Sequence, residues 1–502
     1  MLRIKKLLQQ ALQRTTSDSD SPSHSRLSKK RRLLLLFLAL FHLSGLLSSV
    51  DALMSSRTAQ GSIAWLVSLN TMPYVAVPAY WIFGRSRFQG YVISRQSTDN
   101  ELAAKHQLKT SSVDPFIRDE TLAISQLDAV ERLAKMPFLT GNQPELLIDG
   151  SQSFASIFAG IRAAEEYVLV QFYIVRDDEL GRQLQQLLID KARAGVKVYF
   201  LYDEIGSYRL PHQYIRALRT AGVDIRPFQS TKGPGNRFQL NFRNHRKIVI
   251  ADGQFGWLGG LNVGDEYLGQ DPRYGAWRDT HLKLTGPAVQ ALQLSFVEDW
   301  FWSTDSLPAL QWQAQAAASG DAAVLILPSG PADRFETASL LIQHAIHSAK
   351  QRFWISSPYF VPDEGTLAAL KLAALRGVDV RVLIPERTDN VLVTHAAYAF
   401  IGPLLDAGVS IYRYQQGFLH AKSFIVDQQL AAVGTINLDN RSFRLNFEIT
   451  ALVLDDAFVQ NLAVQFQHDF ARSRQMNLTE LQAQPWWHRV FARAAHLLAP
   501  IL

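Results

Sequence analysis

Two stretches of the chain bring an imidazole, an ammonium and a carboxylate together at one spacing. Residues 241–252 read NFRNHRKIVIAD and hold His245, Lys247 and Asp252; residues 417–427 read GFLHAKSFIVD and hold His420, Lys422 and Asp427. Both follow H-x-K-x(4)-D, and the offset between them is 420 − 245 = 175 residues. The trailing segments keep that offset: Gly259-Gly260-Leu261-Asn262 is answered by Gly434-Thr435-Ile436-Asn437. Three fixed positions match a chain of this size by chance on the order of a few per cent of the time. One match is weak; two in register, each trailed by an asparagine, are a strong signal.

Such a set suits phosphodiester exchange without a metal or other cofactor. One histidine can attack phosphorus and split a single displacement into two. The other can protonate the leaving alkoxide and later deprotonate the incoming alcohol. Lys247 and Lys422, two residues along a strand from each histidine, share its face and can stabilise charge on the phosphoryl oxygens. Asn262 and Asn437 can add hydrogen bonds there. A carboxylate behind each imidazole would fix its tautomer and ring orientation. Asp279 in WRDTHLKL and Glu448 in FEITALVL fit that role, each at the head of an apolar strand. Asp252 and Asp427 complete the two motifs and count with the catalytic set, although as strand-ending residues they equally suit a structural role in a turn. His281, His344, His347 and His395 sit in no such pattern and read as core or surface residues. The chain has no cysteine, so thiolate chemistry and disulfides are excluded.

The elements that must hold these residues repeat as well. AGVDIRPF at 221–228 is answered by AGVSIYRY at 407–414, and AGVKVYFLYDE at 194–204 by RGVDVRVLIPE at 376–386. Each pair has an apolar strand after a glycine that ends a helix. Strand–helix alternation in both halves predicts an α/β fold of two similar units. The expected division is a basic disordered tail over 1–32, two transmembrane helices within 33–90 and a connector over 91–140. The first half then spans 141–302, a linker 303–322, the second half 323–480 and an amphipathic C-terminal segment 481–502.

Charge separates the tail from the rest. The chain carries +6, while residues 1–32 hold nine Lys/Arg against two Asp/Glu, a net of +7, which leaves 6 − 7 = −1 for the remainder. A near-neutral body argues against nucleic acid as a partner. Residues 33–50 are apolar and follow Lys29-Lys30-Arg31-Arg32; residues 62–84 are apolar but interrupted by Pro73 and Pro78, and are followed by Arg85 and Arg87. Basic clusters outside both runs predict a hairpin with both ends in the cytoplasm, hence a multi-pass protein of the inner membrane with its body on the cytoplasmic side. A cleaved signal peptide over the first run is the competing reading, and it too leaves the body cytoplasmic.

At RNHRKIVIADG, GGLNVGDEYLG, WRDTHLKLTGPAV, SPYFVPDEG, HAKSFIVD and GTINLDNRSFRLNFE the chain resembles the phospholipase D superfamily. Within it, the likeness is to the bacterial cardiolipin synthases and runs from Arg57 to the C-terminus with few gaps. The resemblance implies two phospholipase D-like halves packed with pseudo-twofold symmetry around one site. It implies phosphatidyl transfer between two phosphatidylglycerol molecules, giving cardiolipin and glycerol. It also implies a histidine nucleophile in the first motif and a histidine acid/base in the second. The alternatives are a hydrolytic phospholipase D and a transphosphatidylase with another alcohol acceptor. A nuclease and a catalytically silent membrane scaffold fit less well, since both motifs are intact and the body is near neutral.

Overall fold

A computed structural model describes residues 23–55, 59–84, 88–104, 112–118, 127–229, 231–232 and 241–496. The chain forms two compact units, Met1–Ser86 and Arg87–Leu502.

In the first unit a helix runs Ser23–Ser55, so it begins inside the stretch expected to be a disordered tail; residues 1–22 lie outside the described residues. Its segment Lys29–Met54, whose most apolar 18-residue window has a mean hydropathy of 2.2, is the one described helix long and apolar enough to cross a membrane. The second apolar run does not form one such helix. It is divided into Ala59–Thr71, Pro73–Ala79 and a wide turn of helix over Tyr80–Gly84. Pro73 supplies no N–H to continue the first piece, which ends at Met72 with φ −135°. Polar pairs tie the pieces to the long helix: Asn70 Nδ2 donates to Ser49 Oγ (2.8 Å) and the Tyr80 hydroxyl to Asp51 (2.8 Å).

The second unit is built on one 16-stranded sheet. In the first half lie β1 (Leu139–Ile148), β2 (Tyr167–Phe172), β3 (Lys197–Asp203), β4 (Asp224–Phe228) and β5 (Arg243–Asn244). They are followed by β6 (Ile248–Ala251), β7 (Phe255–Gly259), β8 (Trp277–Arg278) and β9 (Thr280–Thr285). The second half begins with β10 (Ala322–Ser329), β11 (Arg352–Ser356), β12 (Phe360–Val361), β13 (Asp379–Pro385), β14 (Ser410–Tyr414) and β15 (Phe418–Leu419). It ends with β16 (Ser423–Val426), β17 (Leu430–Gly434), β18 (Leu438–Asp439), β19 (Asn446–Leu454) and β20 (Ser473–Gln475).

β1 and β10 pair antiparallel at the centre. Outward from that seam the order is β1-β9-β7-β6-β2-β3-β4 on one side and β10-β19-β17-β16-β11-β13-β14-β20 on the other. The two series correspond strand for strand, with β20 added at one edge. This is the expected pseudo-twofold, and the repeated glycine-led segments fall on β3 and β4 and on β13 and β14. Gly222 and Gly408, which turn each last helix into its strand, take φ of 98° and 92°, values a side chain disfavours.

Strand alternation sends residues to two cores. Tyr167 and Leu169 of β2 join a core common to both halves, built on helices Ala288–Thr304 and Asp456–Ala471. Val168, Val170 and Phe172 face a core of the first half, joined by Phe418 of the second, under helices Asp149–Ala163, Glu179–Arg193 and His212–Thr220. A matching core serves the second half under helices Thr337–Ser348, Glu364–Leu375 and Val391–Asp406.

Part of the expected connector belongs to this unit. Helix Gln89–Ala104 packs on Ala288–Thr304 through the Tyr91 hydroxyl, which donates to Asp299 (2.5 Å). The same stretch holds helix Asp128–Ala134, and its residues 119–126 lie outside the described residues. The amphipathic C-terminal segment forms helix Trp486–His496, which packs against Val391–Asp406 around a cavity of about 500 Å³.

Candidate active site

Each motif histidine follows a two-residue strand that crosses to the other half. β5 runs parallel to β19, and His245 N–H then donates to the Phe447 carbonyl (2.9 Å). β15 runs parallel to β8, and His420 N–H donates to the Arg278 carbonyl (2.7 Å). The backbone of each half therefore delivers its histidine beside the other half's carboxylate strand. His245 Nδ1 lies 2.8 Å from Glu448 Oε2, and His420 Nδ1 lies 2.8 Å from Asp279 Oδ2. The sequence supplied the two carboxylates but not this crossed assignment. Both carboxylates are fully buried and held in turn. Glu448 Oε1 accepts from Ser442 Oγ (2.8 Å) and Asn446 Nδ2 (3.1 Å), and Asp279 Oδ1 accepts from Thr280 N–H (2.7 Å). With Nδ1–H directed at a carboxylate, each ring keeps its Nε2 lone pair for chemistry.

Lys247 Nζ donates to the His245 carbonyl, and Lys422 Nζ to the His420 carbonyl (2.6 Å). Both ammonium groups are buried, as both imidazoles are. Burial holds His245 down at about 4, and burial together with Lys422 and Lys247 holds His420 well below the usual imidazole value. Burial also lowers Lys422 to about 8 and Lys247 well below an ordinary lysine. Burial pushes Glu448 up, but the His245 and Lys247 charges outweigh it and leave the carboxyl below its ordinary value. Asp279 is raised by burial. Lys422 acts on His245, and Lys247 on His420, so the two motifs share one electrostatic environment. Aromatic rings wall it: Tyr173 meets His245 edge-on at 5.0 Å, and Trp277 lies 5.0 Å from His420. Among the described residues no group of His, Asp and Glu side chains converges as a metal site.

The trailing asparagines differ. Asn262 spends its amide on the Ile174 N–H (3.1 Å) and the Tyr267 hydroxyl (3.0 Å). Asn437 is buried and, among the described residues, its side-chain oxygen accepts no hydrogen bond, so that atom is open to a donor such as an alcohol hydroxyl.

The last motif residues are corrected. Asp252 does not join the catalytic set: its carboxylate accepts the N–H groups of Glu165 (2.8 Å), Glu166 (2.9 Å) and Tyr167 (2.8 Å) at the start of β2. Asp427 does the same for Lys350 (3.0 Å), Gln351 (2.7 Å) and Arg352 (2.9 Å) at the start of β11. Each sits in the left-handed region, with φ of 53° and 52°. Their chemistry is consumed in fastening one strand end to another.

A family model described as "Cardiolipin synthase, PLD-like domain" matches residues 157–298 and 342–470, one block for each half. The chain belongs to this family of phospholipase D-like cardiolipin synthases. It is 46% identical over 476 residues to cardiolipin synthase A of Pseudomonas fluorescens SBW25, covering 94% of this chain and 98% of that one. It is 47% identical over 466 residues to cardiolipin synthase A of Pseudomonas aeruginosa PAO1, covering 91% and 94%. Among solved structures it is similar to phosphatidylserine synthase of Haemophilus influenzae Rd KW20, with a TM-score of 0.57 and 16% identity over 75% of this chain and 100% of that one. At that identity the likeness speaks for the fold.

The family motif does not reach everything around the site. Arg246, between the catalytic-motif His245 and Lys247, is fully buried. It donates to the Glu448 carbonyl (3.0 Å) and to Asp299 (2.9 Å). Asp299 also accepts from Gln171 (2.7 Å), Asn244 (2.8 Å) and Tyr91. The second motif has Ala421 in place of Arg246, so this brace is confined to the first half. Two arrangements escaped sequence reading, this brace and Tyr173; His281, read as a core or surface residue, is buried two residues from Asp279 and lowered by burial to about 4.

Proposed function

We propose that the chain is a cardiolipin synthase that moves a phosphatidyl group from one phosphatidylglycerol to another through a phosphohistidine. What carries this reading is the crossed pairing: two neutral imidazoles, each held through Nδ1–H by a carboxylate of the opposite half, beside two lysines. His245 Nε2 attacks phosphorus, and the bond to the head-group glycerol oxygen breaks. His420 gives that oxygen its proton, and glycerol departs. A hydroxyl of the second phosphatidylglycerol then loses its proton to His420 and attacks the phosphohistidine; the P–N bond breaks and cardiolipin forms. Lys247, Lys422 and Asn437 face the non-bridging oxygens, and Asn262 acts through Tyr267. Glu448 and Asp279 orient the rings. Burial and the two lysines hold the proton affinity of His420 down, and the negative charge of a bound diester would raise it toward that of a general acid.

The donor and acceptor are both membrane lipids. In this reading both apolar runs cross the inner membrane, the second as a proline-broken helix, and the flanking basic residues keep the body in the cytoplasm. Protease protection in oriented vesicles tests this; digestion of the body from the outer face alone would contradict it.

The deciding experiment incubates the purified chain in detergent with labelled phosphatidylglycerol and no added metal. Cardiolipin and glycerol are expected from wild type, with at least a ~10³-fold loss in His245→Ala and in His420→Ala. Phosphatidic acid as the product would make the chain a hydrolase instead.

A further inference from the structure

Two arginines stand beside the first motif with no equivalent at the second. Arg243 precedes His245 by two residues on β5, and Arg441 lies in the helix Asn440–Arg444 after β18. Both are half-buried, with part of each side chain open to solvent. Their pseudo-twofold counterparts, at the same offset of 175, are 418 and 266: Phe418 and Glu266. The structure supports that correspondence. Phe418 is on β15, the partner of β5, and Glu266 is in the helical turn Asp265–Leu268.

The pair reaches the site through Tyr173. The ring meets His245 at 5.0 Å and lies 5.3 Å from Lys247 Nζ, and its hydroxyl accepts a hydrogen bond from Arg243. Arg441 is held by Asn241, donating to its carbonyl (2.8 Å) and its side-chain oxygen (3.3 Å). Among the described residues it makes no ion pair. Burial and the Arg243 charge both lower Arg441, as expected for two guanidiniums set side by side. The carboxylates within electrostatic reach are Asp203, Glu204, Asp439 and Glu448. Three are committed: Asp203 to the N–H groups of Ile205, Gly206 and Asn244, Asp439 to Ser442, and Glu448 to His245.

The proposed reaction brings together two phosphodiesters, and the His–Lys set engages only the one that reacts. In the product the phosphates are separated by one glycerol bridge, so the second anion must rest close to the first throughout the transfer. We infer that Arg243 and Arg441 bind the phosphodiester of the acceptor phosphatidylglycerol. This rests on the phosphatidyl-transfer reading above. Two guanidiniums beyond Tyr173 offer the forked donors that a phosphate takes up, and a neutral acceptor would have no use for them.

The test compares two acceptors in one micelle. Condensation of phosphatidylglycerol to cardiolipin uses an acceptor with a phosphate. Exchange of labelled glycerol into phosphatidylglycerol uses the same donor and the same phosphohistidine, but an acceptor without one. In Arg441→Gln and Arg243→Gln the ratio of cardiolipin to exchanged lipid is expected to fall ~10- to 100-fold, with partial recovery in Arg441→Lys. An unchanged ratio in both glutamine variants would overturn the assignment, whether both rates stay high or fall together. If wild type performs neither reaction, the transfer reading itself fails and the assignment falls with it.

Discussion

At the scale of single residues the site is governed by what burial does to charge. Lys422 is fully enclosed and titrates near 8, against an ordinary 10.5. Below pH 8 it is charged whether the chain is folded or not. Between 8 and 10.5 the unfolded chain binds the proton that the folded one has released, so this group makes stability rise with pH across that window. Activity moves the other way, because a neutral amine cannot neutralise phosphoryl charge. We expect kcat/KM to fall above about pH 8, while the thermal midpoint of wild type, measured relative to Lys422→Met, climbs through the same range. Lys422→Arg should lose the alkaline decline in whatever activity it keeps, since arginine stays charged. A decline that persists unchanged in Lys422→Arg would assign it to another group. These residues were legible in the sequence because their types are rare and their spacing repeats. Their protonation states were not, since those come from burial and from the lysine of the opposite half.

At the scale of elements, the shared motif letters do unlike work. His245 lies in the link ahead of β6 and Asp252 directly after it, where its carboxylate holds three N–H groups at the start of β2. Asp252→Ala should cost roughly 2–4 kcal/mol of stability, because those donors lose their acceptor and alanine fits the left-handed backbone poorly. Its specific activity, per folded molecule, should stay within a few-fold of wild type. Asp252→Asn should lie between the two in stability, since asparagine tolerates that backbone and still accepts. Melting curves alongside specific activities check both; loss of turnover in a well-folded Asp252→Asn would return the residue to the chemistry. The brace behind β5 gives a sharper case. Asp299→Ala leaves the buried Arg246 charge without its partner and should destabilise by about 3–5 kcal/mol. Replacing both, Arg246→Met with Asp299→Leu, should recover only part of that in a denaturant titration, because Gln171, Asn244 and Tyr91 still lack their acceptor. The repeated glycine-led strands were legible because an alternating apolar run after a helix-ending glycine admits few other folds. The interruption of the second apolar run by Pro73 was legible as well, but not where each piece of helix would end, because composition gives length and the missing N–H decides continuity.

At the scale of the whole molecule, neither half owns a complete site. Glu448 of the second half orients His245 of the first, and Asp279 of the first orients His420 of the second. Strand pairing crosses the boundary at β1–β10, β5–β19 and, in a separate two-stranded sheet, β8–β15, and one core is common to both halves. Periodicity could predict two similar units, but not that each would reach across to finish the other, because a crossed pairing leaves no local mark. The segment 305–321 that joins them has no helix or strand, and Gln315 and Ala316 are exposed. Breaking the chain there should leave the interlock intact, since it rests on strand pairing and apolar burial rather than on the connection. Co-expressed fragments 1–315 and 316–502 are expected to copurify and to make cardiolipin, while neither does so alone. Glu448→Gln in the second fragment should then lower turnover ~10²- to 10⁴-fold without preventing copurification, because it removes the charge that holds the other fragment's imidazole in its working tautomer. Turnover by the first fragment on its own would show that a single half can furnish both carboxylate and histidine, and the crossed pairing would cease to be a requirement of the chemistry.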